Sequence, residues 1–283
     1  ARKVGQDQRR VRNLGKRQQA IAQNIANVNT PGYKRRDVDF TTELTSALAA
    51  SATDQAFQNI ADEYIADLTN FSPVYATMIG DHSADGELDE VDSAARDKSL
   101  ALLREYQAAI EALDFDELSR ANQIDYELLS SEIAARIWSL DELQEWAWNP
   151  LYYVNTAGSS IYNLVAREFA PVEERLGNAA ARLEQFPRFL EQARASLVPE
   201  RVPKIHAETA VAQNLGVVSI IENMIVPQMD QLTEATRTRL EAAIETAKDA
   251  LADHQTWLEE ELLPRAAGDF RIGAELFDRK LAF

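Results

Sequence analysis

From Asp54 to about residue 262, apolar residues recur at the three- and four-residue steps of an α-helix. No segment shows the sustained strict alternation of a half-buried strand. That pattern restricts the chain to an all-α fold, a bundle-like array of long helices. In "QAFQNIADEYIADLTNF", Phe57, Ile60, Ala61, Tyr64, Ile65 and Leu68 fall on one face, and Asp54 is placed to cap the helix. Ser72 and Pro73 are a cap and first-turn pair for a short second helix, "SPVYATMIG". A polar loop follows at 81–92. Helical periodicity then covers roughly 93–113, 116–146, 159–168, 172–197, 203–228 and 231–262, with "WAWNPLYYVNTAG" (146–158) as an irregular aromatic connector. Pro187 and Pro227 are expected to kink or end the helices that contain them. No fixed-period repeat stands out.

The first 40 residues differ from this body. Val4, Val11, Leu14, Ile21, Ile25 and Val28 form a narrow a/d seam, interrupted by Asp7 and Gln18. Such a coiled-coil-type amphipathic helix has to find a partner to bury its stripe. Asn27, Asn29 and Pro31-Gly32 end it in a turn. The domain reading is therefore a head at 1–40, a linker at 41–53 and a helical body at 54–283. We expect the head to be held loosely and the body to fold without it.

Charge follows the same division. Residues 1–36 hold ten Lys or Arg and one acid, Asp7. The first 54 residues carry +5 and the remainder −22, which together give the chain's −17. An acidic body repels nucleic acid and anionic lipid. With no cysteine, disulfides and thiolate metal sites are excluded. No apolar run approaches the ~20 residues of a membrane-spanning helix, and no signal peptide is visible. The chain begins at Ala1 rather than Met, so an upstream piece is expected.

The chemical motifs are sparse. His82, His206 and His254 are not spaced as metal pairs, and no H-E-x-x-H, G-x-S-x-G or phosphate-binding glycine loop occurs. The three histidines read as structural or surface residues, with His254 on a solvated-looking helix. Glu259-Glu260-Glu261 reads as a solvated face. "DHSADGELDEVD" (81–92) is a candidate calcium loop: Asp81, Ser83, Asp85, Asp89 and Asp92 occupy loop positions 1, 3, 5, 9 and 12, with Gly86 at the turn. Asp92 is shorter than the usual bidentate Glu, and no partner hand is present. An acidic surface loop is the competing reading.

Two resemblances add to this. "RQQAIAQNIANVNTPGYKRRDVDF" resembles the N-terminal signature of flagellar basal-body rod proteins. The matching residues are Asn24, Asn27, Asn29, Thr30, Pro31, Gly32 and Tyr33. The resemblance implies that they make rod-type assembly contacts, with rod subunits as helix partners. "SPVYATMIGDHSADGELDEVD", "WNPLYYV" and "FRIGAELFDRKL" resemble the N-terminal half of a large bacterial family of uncharacterised helical proteins. That family is regarded as candidate zinc-dependent peptidases or hydrolases. Arg271, Gly273 and Glu275 match one of its motifs. The resemblance implies a zinc-binding H-E-x-x-H helix in the other half, so no catalytic residue, cofactor or zinc ligand is expected in this chain. A peptide-like substrate would belong to the full-length enzyme. Both resemblances imply a bacterial protein of the periplasm or cell envelope. The leading expectation is thus a non-catalytic portion of a metallopeptidase-type protein with a fused rod-like head. The alternative is a flagellar axial or interaction protein that assembles through that head.

Overall fold

The computed structural model describes residues 40–283, with side chains from residue 52 onward except 68–70. The readings of residues 1–39, including the a/d seam and Asn24 to Tyr33, lie outside the described residues. What is described is all-α: long helices, short 3-10 and π turns and no strand, with one isolated backbone bridge between Pro203 and Gly268.

Helix α1 (Phe40–Phe71) runs through 41–53, the stretch read as a linker. Asp54 therefore lies inside a helix and does not cap one. Its carboxylate instead accepts from the Ser119 backbone N–H at 2.7 Å, tying α1 to the start of α4. The cap-and-proline reading of α2 (Pro73–Ile79) holds: the Ser72 hydroxyl accepts from Tyr75 N–H, and Gly80 closes the helix at φ +96°, a value that favours glycine. Helix α3 (Ser93–Glu111) is capped by Asp92.

The periodic stretch 116–146 is not one helix. A 3-10 turn at Phe115–Glu117 precedes α4 (Arg120–Trp138), capped by Ser119, and a π turn (Ser139–Leu143) ends in Gln144, which has left-handed backbone angles. Trp146 Nε1 donates to Leu140 O and Trp148 Nε1 to Leu143 O. These two indoles satisfy carbonyls at the π turn that periodicity alone does not reveal.

The aromatic connector at 146–158 is mostly helical. After the short α5 (Glu145–Trp148), Asn149 caps α6 (Pro150–Val165), with Pro150 in its first turn. The α6 residues Tyr153, Ala157, Ile161 and Leu164 are at most 1% exposed. These four fall at helical spacing on one face, while Tyr152 and Tyr162 are exposed; the Asn-Pro pair that suggests a break is the cap and first turn of the helix. The 172–197 stretch splits into α7 (Val172–Leu183) and α8 (Phe186–Ser196), with Pro187 in the first turn of α8. Next come α9 (Lys204–Ile220), a π turn, a 3-10 turn containing Pro227, and α10 (Glu234–Trp257), which continues through a further π turn. A short α11 (Ala274–Lys280) is the last helix.

Lys204–Gln231 is long and apolar enough to cross a membrane by length and composition. In this fold its Ala207, Ala210, Val217, Ile221 and Ile225 lie in the core.

The buried residues form two cores. The larger is built by α6 to α10 around Tyr153, Leu176, Phe186, Phe189 and Leu258. The smaller joins α1, α3 and α4 through Tyr64, Leu103, Tyr106, Ile110 and Ile133. Each fully buried large apolar side chain contributes about 1.5–3 kcal/mol. Tyr64 and Tyr106 meet edge-to-face at 5.4 Å between ring centres, and Tyr106 donates to the Asp67 carboxylate at 2.6 Å. Burial and that carboxylate raise the Tyr106 phenol above its ordinary value.

Candidate functional site

The two cores meet at a cleft of about 220 Å3. Phe71, Leu103 and Leu140 face it from the smaller core, and Val91 and Tyr153 from the larger. Its polar lining includes Arg96, Arg136, Glu90 and Glu145, with Trp146 and Tyr152 supplying flat surfaces. Arg96 is held rigidly: Nη1 donates to Val91 O at 2.6 Å and to Ser196 Oγ at 2.9 Å, and its guanidinium carbon lies 4.0 Å from the Trp146 ring centre. Tyr153 OH donates to the Trp146 backbone carbonyl oxygen at 2.6 Å, tying α6 to the backbone of the same residue. Arg136 donates to Glu132 on its own helix and reaches over the Tyr75 ring. Glu145 accepts from Asn149 Nδ2 at 2.6 Å. The lining thus offers both charge signs beside aromatic surface. No histidine lines this cleft.

One wall of the cleft depends on the 81–92 loop. The five candidate calcium ligands do not converge. Asp81 Oδ1 accepts from Ser83 N–H, which lowers its carboxyl pKa. Asp85 accepts from the Thr77 hydroxyl at 2.7 Å and contacts His82 Nδ1 at 2.9 Å. Asp89 accepts from Ser72 Oγ and Val74 N–H. Asp92 accepts from Ala95 N–H as the cap of α3. Ser83 is exposed. Among the described residues, no group of three or more His, Asp or Glu side chains is placed to hold a metal ion.

The loop is solvated only in part. Asp85 and Asp89 are 3% and 4% exposed. They lie around Arg182, which is fully buried. Arg182 Nε donates to Glu87 O at 2.8 Å, Nη1 to Ser160 O at 2.7 Å, and Nη2 to Thr77 Oγ1 at 2.7 Å and Pro73 O at 3.2 Å. One guanidinium thus ties α2, the loop and α6 to α7. Burial lowers the Arg182 pKa, and Asp85 and Asp89 oppose that shift. Burial raises the Asp89 carboxyl, against the bonds from Ser72 and Val74.

The pattern continues along α7 and α8. Gln185 Nε2 donates to Gly86 O, Arg188 Nη2 to Leu88 O, and Gln192 Oε1 accepts from Val91 N–H. The backbone of 86–91 has no sheet to pair with, so a row of side chains satisfies it. The sequence carries a signal for this row: Arg182, Gln185, Arg188 and Gln192 recur at helical spacing, on a face that otherwise reads as polar surface.

The histidines are scattered. His82 stacks on Phe169, with ring centres 3.7 Å apart. His206 stacks on Trp148 at 5.8 Å. His254, read as solvated, is 1% exposed, and burial together with Arg194 pushes its pKa down to about 3. Its helix lies over the core, so the polar residues around it in sequence belong to the opposite face. Glu259, Glu260 and Glu261 are exposed. Arg271 and Glu275 are exposed as well, and Gly273 has φ +86° ahead of α11.

Comparison with known proteins gives two family matches. Residues 11–34 match the flagella basal body rod protein family. No curated protein matches the chain. A solved structure described as that of a candidate lipoprotein of unknown function from Shewanella oneidensis is similar, at 30% identity and a TM-score of 0.73. The match covers 80% of this chain and 42% of that one, so this chain spans less than half the length of its structural relative. The other family match runs over residues 73–283, from the first residue of α2 through α11, and on that span the chain belongs to the bacterial proteins of unknown function grouped as DUF885.

Proposed function

We propose that this chain is the non-catalytic helical portion of a zinc-dependent peptidase or hydrolase of the bacterial cell envelope, with the cleft between its two cores contacting a peptide-like substrate. The observation that carries the reading is one of extent. The family match occupies 73–283, yet more than half of the similar solved protein lies outside the match. The described residues offer aromatic and charged surface in the cleft, but no set of three side chains placed to hold a metal. A catalytic zinc site needs three protein ligands and an open position. In this reading those ligands come from outside the span. The lipoprotein description of the relative supports a place in the envelope.

The test is hydrolysis of a peptide library with added zinc, by this chain and by this chain joined to the remaining portion of a longer family member. The expected result is turnover, abolished by a chelator, in the joined protein alone. Chelator-sensitive turnover by this chain alone would refute the reading, as would a joined protein that binds no zinc.

The match at 11–34 favours a second reading, in which the basic N-terminal segment assembles with flagellar rod subunits. Co-sedimentation with polymerised rod protein, lost in Ile21→Asp and Ile25→Asp, would support it. Absence of co-sedimentation would remove it.

A further inference from the structure

A groove of about 460 Å3 runs between α1 and α4, lined among others by Ala61, Asp62 and Ile65 of the first and Asn122, Asp125 and Leu128 of the second. Ile65 is 57% exposed and Leu128 65%. Ile124, one turn before Leu128 on the same helix face, is 49% exposed. None of the three belongs to either core. Together they form an apolar stripe that nothing covers among the described residues. Its surroundings are acidic. From Asp54 to Phe71, α1 holds Asp54, Asp62, Glu63 and Asp67 and no Lys or Arg, and α4 adds Asp125 and Glu127 beside the stripe. Asp62 and Asp125 are exposed, and the described lining of the groove has no cation.

Residues 1–39 lie outside the described residues and lead directly into α1 at Phe40. Their sequence has what the groove lacks. The seam at Val4, Val11 and Leu14 is one helix face wide, and Lys3, Arg10 and Arg17 recur at the g positions along one edge of it. Seven Lys or Arg fall between Arg2 and Arg17, against the single acid Asp7. The length fits as well. Pro31-Gly32 is the turn at which the chain can reverse before Phe40. A helix folded back along α1 rises about 36 Å from Val28 to Val4, and α1 rises by about the same amount from Phe40 to Ile65. Val4 and Val11 thus come level with the groove, and Lys3 and Arg10 bracket Asp62.

We propose that the groove between α1 and α4 seats the N-terminal segment of the same chain, residues 4–28 folded back as a helix against Ile65, Ile124 and Leu128. The seam buries its stripe there, and its basic edge meets Asp62 and Asp125. The groove is on the surface, so the body folds without this helix. The tether favours the chain's own segment over that of a second copy, because it supplies the partner at high effective concentration. A seam seated here is not free for another helix, so seating competes with any outside partner. The inference stands apart from the peptidase reading, which concerns the cleft.

The test uses the full chain, which has no cysteine, so Leu128→Cys and Ile65→Cys each supply a single thiol. Both side chains are exposed and outside the cores, so these variants keep the fold. Labelling by a neutral maleimide is timed with the head unaltered, with Val4→Asp and Val11→Asp together, and with Lys3→Glu, Arg10→Glu and Arg17→Glu together. With the unaltered head, labelling is expected to be about fivefold or more slower than with either altered head, because only the minor undocked state reacts. Glu260→Cys, at an exposed position beyond α10, should label at one rate throughout. Rates at Leu128→Cys and Ile65→Cys that do not depend on the head overturn the proposal. Protection that grows with protein concentration also overturns it, by assigning the groove to a second copy. Labelling needs neither zinc nor turnover, so its failure is distinct from failure of the peptidase reading.

Discussion

Arg182 Nη1 donates to the Ser160 carbonyl oxygen at 2.7 Å, with both residues fully buried. The guanidinium charge is set against Asp85 and Asp89 and also satisfies Glu87 O, Pro73 O and Thr77 Oγ1. Breaking a buried charge network by removing one partner costs about 3–5 kcal/mol, because the remaining charges and acceptors stay buried and bare. Arg182→Met should therefore lower the urea midpoint by that equivalent. Arg182→Lys should lie between it and the parent, since it keeps the charge but loses the fork. A midpoint unchanged in Arg182→Met would mean that α2 and the loop are held by packing alone.

His254 should make the fold acid-sensitive. Its folded pKa is about 3, pushed down by burial first and Arg194 second, against an ordinary value of 6.5. The unfolded chain therefore binds the proton that the folded chain refuses. Stability from this group is complete above pH 6.5 and declines as pH falls from 6.5 toward about 3. Between pH 6.5 and 4.5 the loss is roughly 2–3 kcal/mol, at about 1.4 kcal/mol per unit. His254→Leu should flatten the stability profile over that window, as read by urea unfolding at several pH values. A parallel profile for parent and variant would rule out this origin.

Two glycines should respond in opposite directions. A Cβ on Gly268 would sit 2.0 Å from the Arg201 carbonyl oxygen, in backbone where the Gly268 N–H also donates to Val202 O. Gly268→Ala is expected to cost about 1–3 kcal/mol, as overpacking does. Gly216, mid-helix in α9, would meet nothing within 4 Å. Gly216→Ala should add about 0.5–1 kcal/mol through helix propensity. Melting temperatures of the two variants check both signs, and a stabilised Gly268→Ala would contradict the close backbone approach.

Calcium should not act on the 81–92 loop. Asp85 and Asp89 bond to Thr77 and Val74 of α2, and Asp92 caps α3. Recruiting them to one cation would release Thr77, the start of α2 and the cap of α3. Millimolar calcium is expected to leave the melting temperature unchanged, whereas a ligand at a hundred times its dissociation constant adds ~2.7 kcal/mol. An upward shift that disappears in Asp81→Ala would show a real site.

What the sequence by itself determined is the class of the fold and several of its local devices. Helical period without alternation yields an all-α body, since a helix reports its inner face through its own spacing. Ser72-Pro73 acts within a few residues of itself, so its cap is legible in the letters, whereas Asp92, read as a loop ligand, is the cap of α3. Where a polar side chain turns inward, as with His254 and Arg182, the pattern points the wrong way. The 81–92 acids show the reason most directly. Their spacing is nearly that of a calcium loop, but Arg182 lies some ninety residues on, on a helix that only folding brings beneath them. The partners of a buried charge are chosen by tertiary contact, and so the tertiary structure decided where these carboxylates point. It likewise formed the cleft between the two cores and the groove between α1 and α4.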